Sequence, residues 1–463
     1  MIKNANTVEQ TGQHNTVYLT FITLVAAMGG LLFGFDLGII TGVIPFIQKQ
    51  FYLYGFELGW VVAIFELGCM FGAFFISFMT EKLGRKKALV TTAIFFIITT
   101  IGIVMSNSAS ELAIWRFLQG VAVGAASVLS PMYIAETSPA QIRGTLVSIN
   151  QLMIIFGILL ATFISYYFGD PQNADSWKYM FGFALVPSAI FLILLIFVPE
   201  SPRWLLKKGL QKEAIKVLRK IGDDIYVAIE VKGININTEA PQRKARYIDL
   251  FGKSMLPVLA IGFGLAILQQ FCGSNNITAY LQVIFQKANL DIKDGLLNAV
   301  FVSIVFFVST VFAILLIDRI GRKKLLLIGT LLMAFFLFCL ALSFNSTTVN
   351  GTLVVIFVMG FIGTYAFTLA PVTWVVLSEI FPNHIRGKAL SMASAVLWLS
   401  CFIVVLISPY LLKVSAVVNF VIFGIFNICG FIFIWFYVPE TMGKTLEQIE
   451  KMLFKPGNDE NEI

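Results

Sequence analysis

The chain has 463 residues, of which 58% are hydrophobic and only 13% charged, with a mean hydropathy of +0.86. Soluble domains carry about 25% charged residues, and no soluble interior of this size could hide 45 phenylalanines with the remaining apolar surface. A soluble enzyme, a nucleic-acid binder (despite the net charge of +7) and a disordered chain are therefore excluded, leaving an all-α polytopic membrane protein.

Residues 1–16 are polar and the first apolar run is too long for a signal-peptide core, so no cleavable leader is expected. Twelve runs long enough to cross a hydrocarbon layer of ~30 Å then follow. They lie roughly at 17–47, 60–79, 88–105, 111–134, 147–168 and 179–198, then at 256–285, 297–317, 324–343, 352–378, 389–411 and 418–438. These continuous runs differ from barrel strands, which alternate over segments of ~10 residues.

Run one carries Gly30, Gly34, Gly38 and Gly42, a ridge of small residues that lets another helix approach closely. Asp36 sits about 200° around the helix from that ridge. An ionisable residue at membrane depth costs ~2.5–3.5 kcal/mol even on the mildest scale, so it faces the bundle interior. Run two adds Glu66, for which a titrating functional site, a snorkelling side chain and a protonated structural carboxyl all stay open. Run four carries Arg116, followed by Gly120 and Gly124, and is the natural counter-ion of Asp36. Run five holds Gln151. The one sizeable polar gap, 200–252, has an amphipathic stretch from Trp204 to Ile221, expected to lie against the cytoplasmic face. Run seven concentrates Gln269, Gln270, Asn275 and Asn276 around Gly273-Ser274, and four amides cannot all face lipid. Such a segment is expected to unwind and coordinate a ligand. Run ten adds Trp374 and run eleven Trp398, for which packing and ligand contact both stay open. The five cysteines lie in apolar runs without metal-ligand spacing. Neither a nucleophile–base pair nor a cofactor motif is visible, so an enzyme is not expected and no cofactor is implied.

Of the 33 Lys and Arg residues, 27 fall on the side of the termini and only 5 on the opposite side. The positive-inside rule then predicts cytoplasmic termini. Three pairs of motifs repeat: Gly84-Arg85-Lys86-Lys87 with Gly321-Arg322-Lys323-Lys324, Glu136…Arg143-Gly144 with Glu379…Arg386-Gly387, and Pro199-Glu200 with Pro439-Glu440. Their offsets are 237, 243 and 240 residues. Two parallel six-helix halves, 1–199 and 253–463, joined by a helical linker at 200–252, are expected, with a site between them.

In these motifs the chain resembles the sugar porters of the major facilitator superfamily over essentially its whole length. The resemblance rests on Glu81-Lys82-Leu83-Gly84-Arg85-Lys86 and its copy Asp318-Arg319-Ile320-Gly321-Arg322-Lys323. It rests further on Pro199-Glu200-Ser201-Pro202-Arg203-Trp204, Pro439-Glu440-Thr441 and Gln269-Gln270 with Gly273 and Asn275. Ser130–Glu136 and Ser378-Glu379-Ile380-Phe381-Pro382-Asn383 look most like bacterial proton-coupled pentose and hexose symporters.

The resemblance implies that Asp36 takes the proton and pairs with Arg116, and that Gln151, Gln269, Gln270, Asn275, Trp374 and Trp398 contact the sugar. It also implies a cytoplasmic gate of Arg85, Glu136, Arg143, Glu200, Arg322, Glu379 and Arg386. The implied partners are a monosaccharide, a proton and the lipid bilayer of the inner membrane, for a monomeric carrier. Some positions depart from the family pattern. Ala279 precedes Tyr280 where two tyrosines are usual, which points to a looser outer gate, and Phe306, Leu397 and Ile158 replace polar residues. Fewer polar contacts leave a pentose, a hexose and a broader range of sugars equally open. The alternatives are a proton-independent uniporter in which Asp36 is structural, an exporter of drugs or organic ions, and a sugar sensor. The neutral amides disfavour the exporter, and the short tail after Pro439 disfavours the sensor.

Overall fold

The computed structural model describes residues 14–139, 142–239, 247–252, 255–382 and 385–444, together with 448 and 452. Asn383 of the quoted motifs lies outside them. Six membrane-length helices, Thr16–Phe51, Phe56–Leu83, Arg85–Met105, Ala109–Thr137, Arg143–Phe168 and Ser176–Leu194, make the first half. The second half comprises Leu256–Ala279, Ile292–Ile317, Arg322–Phe344, Gly351–Ile380, Arg386–Val414 and Ala416–Tyr437. These twelve are the first to twelfth spans below. Large apolar side chains such as Phe74, Phe78, Leu315 and Phe436 point outward, as a lipid-facing surface requires.

Local chemistry sets the span ends. Asn15, Ser108, Asn350 and Ser415 accept hydrogen bonds from the first-turn amides of the first, fourth, tenth and twelfth spans. The tight links before the third and ninth spans turn on Gly84 (φ +89°) and Gly321 (φ +101°), a region that L side chains avoid. A Cβ on either glycine would crowd a carboxylate, Glu200 or Glu440 respectively.

Glycines also decide which spans touch. The ridge expected on the first span does meet another helix, the fifth: Gly34 and Gly38 face the Ile154 and Ile158 carbonyls. The second and fourth spans pack reciprocally. Gly68 and Gly72 face the carbonyls of Phe117 and Val121, while Gly120 and Gly124 face those of Phe65 and Cys69. Such backbone contact supplies van der Waals attraction in a medium where burial against lipid supplies little.

Three spans are not single helices. The sixth is interrupted between Gly182 and Leu185, near Pro187. The seventh breaks at Gly273 (φ +96°) and again at Tyr280, where the expected unwinding lies. The tenth, expected as one helix over 352–378, breaks at Thr368. Pro371 explains that break, since its missing N–H leaves the Phe367 carbonyl without a helical partner.

Within the linker, the stretch read as one amphipathic helix from Trp204 to Ile221 forms two, Pro202–Lys207 and Gln211–Ile221, separated at Gly209 (φ +77°), and a third helix, Asp224–Glu239, follows. Leu218 and Ile221 pack with Tyr226 and Val227 on Leu19 and Ile22 of the first span. The Asn15 amide donates to the Ile221 carbonyl at 2.7 Å, fastening the linker to the first half.

The two halves meet at the end remote from the termini. There Thr41 Oγ1 donates to the Thr278 carbonyl at 2.5 Å, and Lys293 Nζ donates to the Tyr166 carbonyl at 2.6 Å. Gly59 abuts the Leu406 carbonyl, and Gly42 abuts Leu296. On the side of the termini, a Cβ on Gly144 or Gly387 would meet nothing within 4 Å. Among the described residues, the halves are thus joined at the end remote from the termini, while Gly144 and Gly387 at the other end face open space.

Candidate substrate and proton site

Asp36 and Arg116 come together at the heart of the first half, each side chain 2% exposed. Arg116 Nη1 donates to both Asp36 oxygens, at 2.9 and 2.7 Å, and to Gln119 Oε1 at 3.3 Å. Gln119 in turn donates to Thr100 Oγ1 at 3.2 Å. The guanidinium lies over the Phe65 ring, 4.4 Å from its centroid, so an apolar wall excludes water from one face of the pair. Removing one partner of such a pair strands the other as a buried charge.

The amides of the seventh span form a chain. Gln269 Nε2 donates to the Ala370 carbonyl at 3.5 Å, and Gln270 Nε2 donates to Gln269 Oε1 at 3.2 Å. Asn275 Nδ2 donates to Gln270 Oε1 and, at 3.1 Å, to the Cys401 sulfur. Asn276 is fully buried with neither amide atom hydrogen-bonded. Trp398 lies against Phe33 of the first half, ring centroids 5.8 Å apart, and so borders both halves. Trp374 is 41% exposed and stands one helical turn beyond Ala370, whose carbonyl accepts from Gln269. Gln151 is half-buried in the fifth span and makes no hydrogen bond to a described residue.

The residues expected in the gate form two matching sets, one in each half. Arg85 reaches Glu136 at 2.7 Å and Arg322 reaches Glu379 at 3.3 Å, so both ion pairs join helices of the same half. Arg143 and Arg386 bond the carbonyls of Ser138 and Phe381. Glu200, expected among the gate pairs, instead accepts from the backbone amides of Arg85 (2.8 Å) and Lys86 (3.1 Å). It caps the third span, where a carboxylate also meets the positive end of the helix dipole. Glu440 accepts from Arg322 and Lys323 in the same way. This capping role is not among the sequence expectations, although the repeated Pro-Glu after each half is its signal.

The departures from the family pattern acquire surroundings. Tyr280, next to Ala279, is fully buried and donates to the Val405 carbonyl at 2.8 Å, joining the seventh and eleventh spans of the second half. Phe306 packs on Tyr365 at 6.1 Å, and Leu397 is buried. Glu66 is 6% exposed at membrane depth, which excludes the snorkelling reading.

Two six-span halves joined at one end, with a buried acid–base pair in one and an amide chain in the other, define a membrane carrier of the major facilitator fold. The profile of the family described as "Sugar (and other) transporter" matches residues 22–453, and the chain belongs to that family. It is 36% identical to the D-xylose-proton symporter of Escherichia coli K12, over 95% of this chain and 96% of that protein. It is 35% identical to the arabinose-proton symporter of Bacillus subtilis, over 96% and 97%. Among solved structures, the inward-open xylose transporter XylE of E. coli matches with a TM-score of 0.84 and 36% identity, covering 94% of this chain and all of that one.

Proposed function

We propose that this protein imports a monosaccharide, a pentose or a hexose, together with a proton by alternating access. The observation that carries the reading is the pairing of buried Asp36 with Arg116 opposite the amide chain Gln269–Gln270–Asn275. Three spans of the second half supply sugar contacts, and the proton site belongs wholly to the first half. The activities named for the E. coli and B. subtilis relatives support the same reading.

The amides both donate and accept, as a ring of hydroxyls requires, and the indoles of Trp374 and Trp398 cover its C–H faces. From the first half, Gln151 adds one more amide to the sugar. Protonation of Asp36 removes the charge that Arg116 holds and frees the guanidinium toward Gln119. That exchange changes how tightly the fourth span is held to the first. The excess of Lys and Arg on the side of the termini supports a cytoplasmic location for that side, and the arrangement is then read as open inward. On closure of that side, Arg85, Glu136, Arg143, Arg322, Glu379 and Arg386 approach one another across the halves. The halves move as bodies bounded near 1–199 and 253–463, within the lipid bilayer of the inner membrane, and one chain suffices for the cycle.

Counterflow in proteoliposomes with labelled xylose, arabinose, glucose and galactose tests the sugar. Alkalinisation of the medium on sugar addition to de-energised cells tests the proton. Exchange of a sugar without alkalinisation would make the protein a uniporter, and exchange of none of them would remove the sugar assignment.

A further inference from the structure

Glu66 is the buried carboxylate that the transport reading leaves unused. It lies on the second span, 6% exposed, and its Oε2 has no hydrogen-bond partner. A buried polar atom without a partner costs about 1–3 kcal/mol, so its retention calls for a reason.

Groups from four other helices surround it. Asp36 of the first span and Arg116 of the fourth act on it electrostatically, and so does Cys69 of its own helix. From the second half, Tyr280 of the seventh span and the Cys401 thiol of the eleventh lie within its field, the eleventh span packing on the second at Gly59–Leu406 and Trp60–Phe402. The same sulfur accepts the Asn275 amide at 3.1 Å. Beside Glu66, a hydrogen-bonded chain runs from Cys401 to Asn275, Gln270 and Gln269 in the other half.

The path has a direction. With Glu66 as a carboxylate, the thiol donates to it, the sulfur accepts from Asn275 Nδ2, and the Asn275 carbonyl is left for a ligand hydroxyl. With Glu66 protonated, its O–H donates to the sulfur and the thiol hydrogen needs another acceptor. The Asn275 amide turns to offer its carbonyl, giving up its bond to Gln270 Oε1, which the Gln270 amide answers by turning in its own place. One proton on Glu66 thereby exchanges an acceptor for a donor in the amide chain.

We propose that Glu66 is a second proton-linked carboxylate, which passes its protonation state across the interface between the halves to the sugar-binding amides through Cys401. This inference rests on the sugar site proposed above, and it assigns Glu66 a positioning role, since its carboxylate reaches the sugar only through Cys401 and Asn275.

The test uses full-length protein in nanodiscs with Asp36→Asn as background, which removes the first titrating carboxyl. D-xylose affinity measured by calorimetry between about pH 5 and pH 9 should change about fivefold or more. It should become flat in Asp36→Asn/Glu66→Gln and also in Asp36→Asn/Cys401→Ala, where the carboxyl remains but the link is cut. A flat profile in Asp36→Asn alone, or a slope surviving in Asp36→Asn/Glu66→Gln, overturns the proposal. A second readout needs no sugar. In pH-difference infrared spectra, a carboxyl C=O band should vanish in Glu66→Gln and shift in Cys401→Ala. If no protein binds xylose, the sugar assignment fails and this band alone decides. Its absence, or its indifference to Cys401→Ala, refutes the role of Glu66.

Discussion

Asp36→Asn replaces the carboxylate by a neutral group of the same shape, so it mimics the protonated carrier permanently. Arg116 keeps one oxygen to bond, which moderates the ~3–5 kcal/mol cost of breaking a buried pair outright. The variant should exchange sugar in counterflow but build no gradient when a proton-motive force is imposed. Wild-type accumulation in a well-folded Asp36→Asn protein would show the pair to be structural only. On the other side of the site, Gln269→Ala removes the end of the amide chain and leaves Gln270 Nε2 without its acceptor. Sugar affinity measured by calorimetry should fall by about 1–3 kcal/mol, roughly five- to 150-fold. Unchanged affinity would mean that the sugar sits elsewhere. The meeting of Asp36 with Arg116 is legible in the sequence because membrane depth leaves a charge few partners. The surroundings of Glu66 are not, because Cys401 lies on the other half, and apolar periodicity carries no information about which helices of two halves face each other.

Broken helices are the elements that build the site. Gly273 holds φ +96°, and its missing Cβ leaves the Phe423 side chain 3.1 Å from where one would stand. Gly273→Ala meets both a strained backbone and that contact, at about 1–3 kcal/mol. Thermal unfolding should come earlier and sugar affinity should weaken together, because Gln270 and Asn275 flank the break and must keep their spacing. An unaltered affinity with reduced stability would separate the break from the amides. Polar density around a glycine signals this interruption in the sequence itself. The tenth-span break at Thr368 has no such signal, because hydropathy runs straight through it. Its cause, Pro371, stands three residues downstream in a run that remains apolar throughout. The role of Glu200 is hidden for a related reason: an acidic residue beside a basic loop suggests side-chain pairing, whereas the φ of Gly84 turns the backbone amides of Arg85 and Lys86 toward it.

At the scale of the whole molecule, the repeated motifs by themselves imply two parallel halves, because internal offsets near 240 residues do not depend on packing. They do not say which end of the bundle is closed, since one sequence serves every state of the cycle and the contacts that choose among states are weak and local. Gly59 is one of them: it lets the second span touch the Leu406 carbonyl of the eleventh at the end remote from the termini. Trp60 meets Phe402 beside it, ring centroids 6.2 Å apart. A bulky side chain at Gly59 cannot be accommodated without parting the halves there, which by rocking brings their opposite ends together. Gly59→Trp should therefore hold the carrier open to the outside. Sugar binding should survive, because the amide chain lies within the second half, while counterflow should be lost because the site cannot return. A Gly144→Cys reporter, exposed in the present arrangement, should then react with an impermeant maleimide in inside-out vesicles more slowly by roughly an order of magnitude. Retained counterflow with undiminished labelling would show that the Gly59 contact does not govern the state of the carrier.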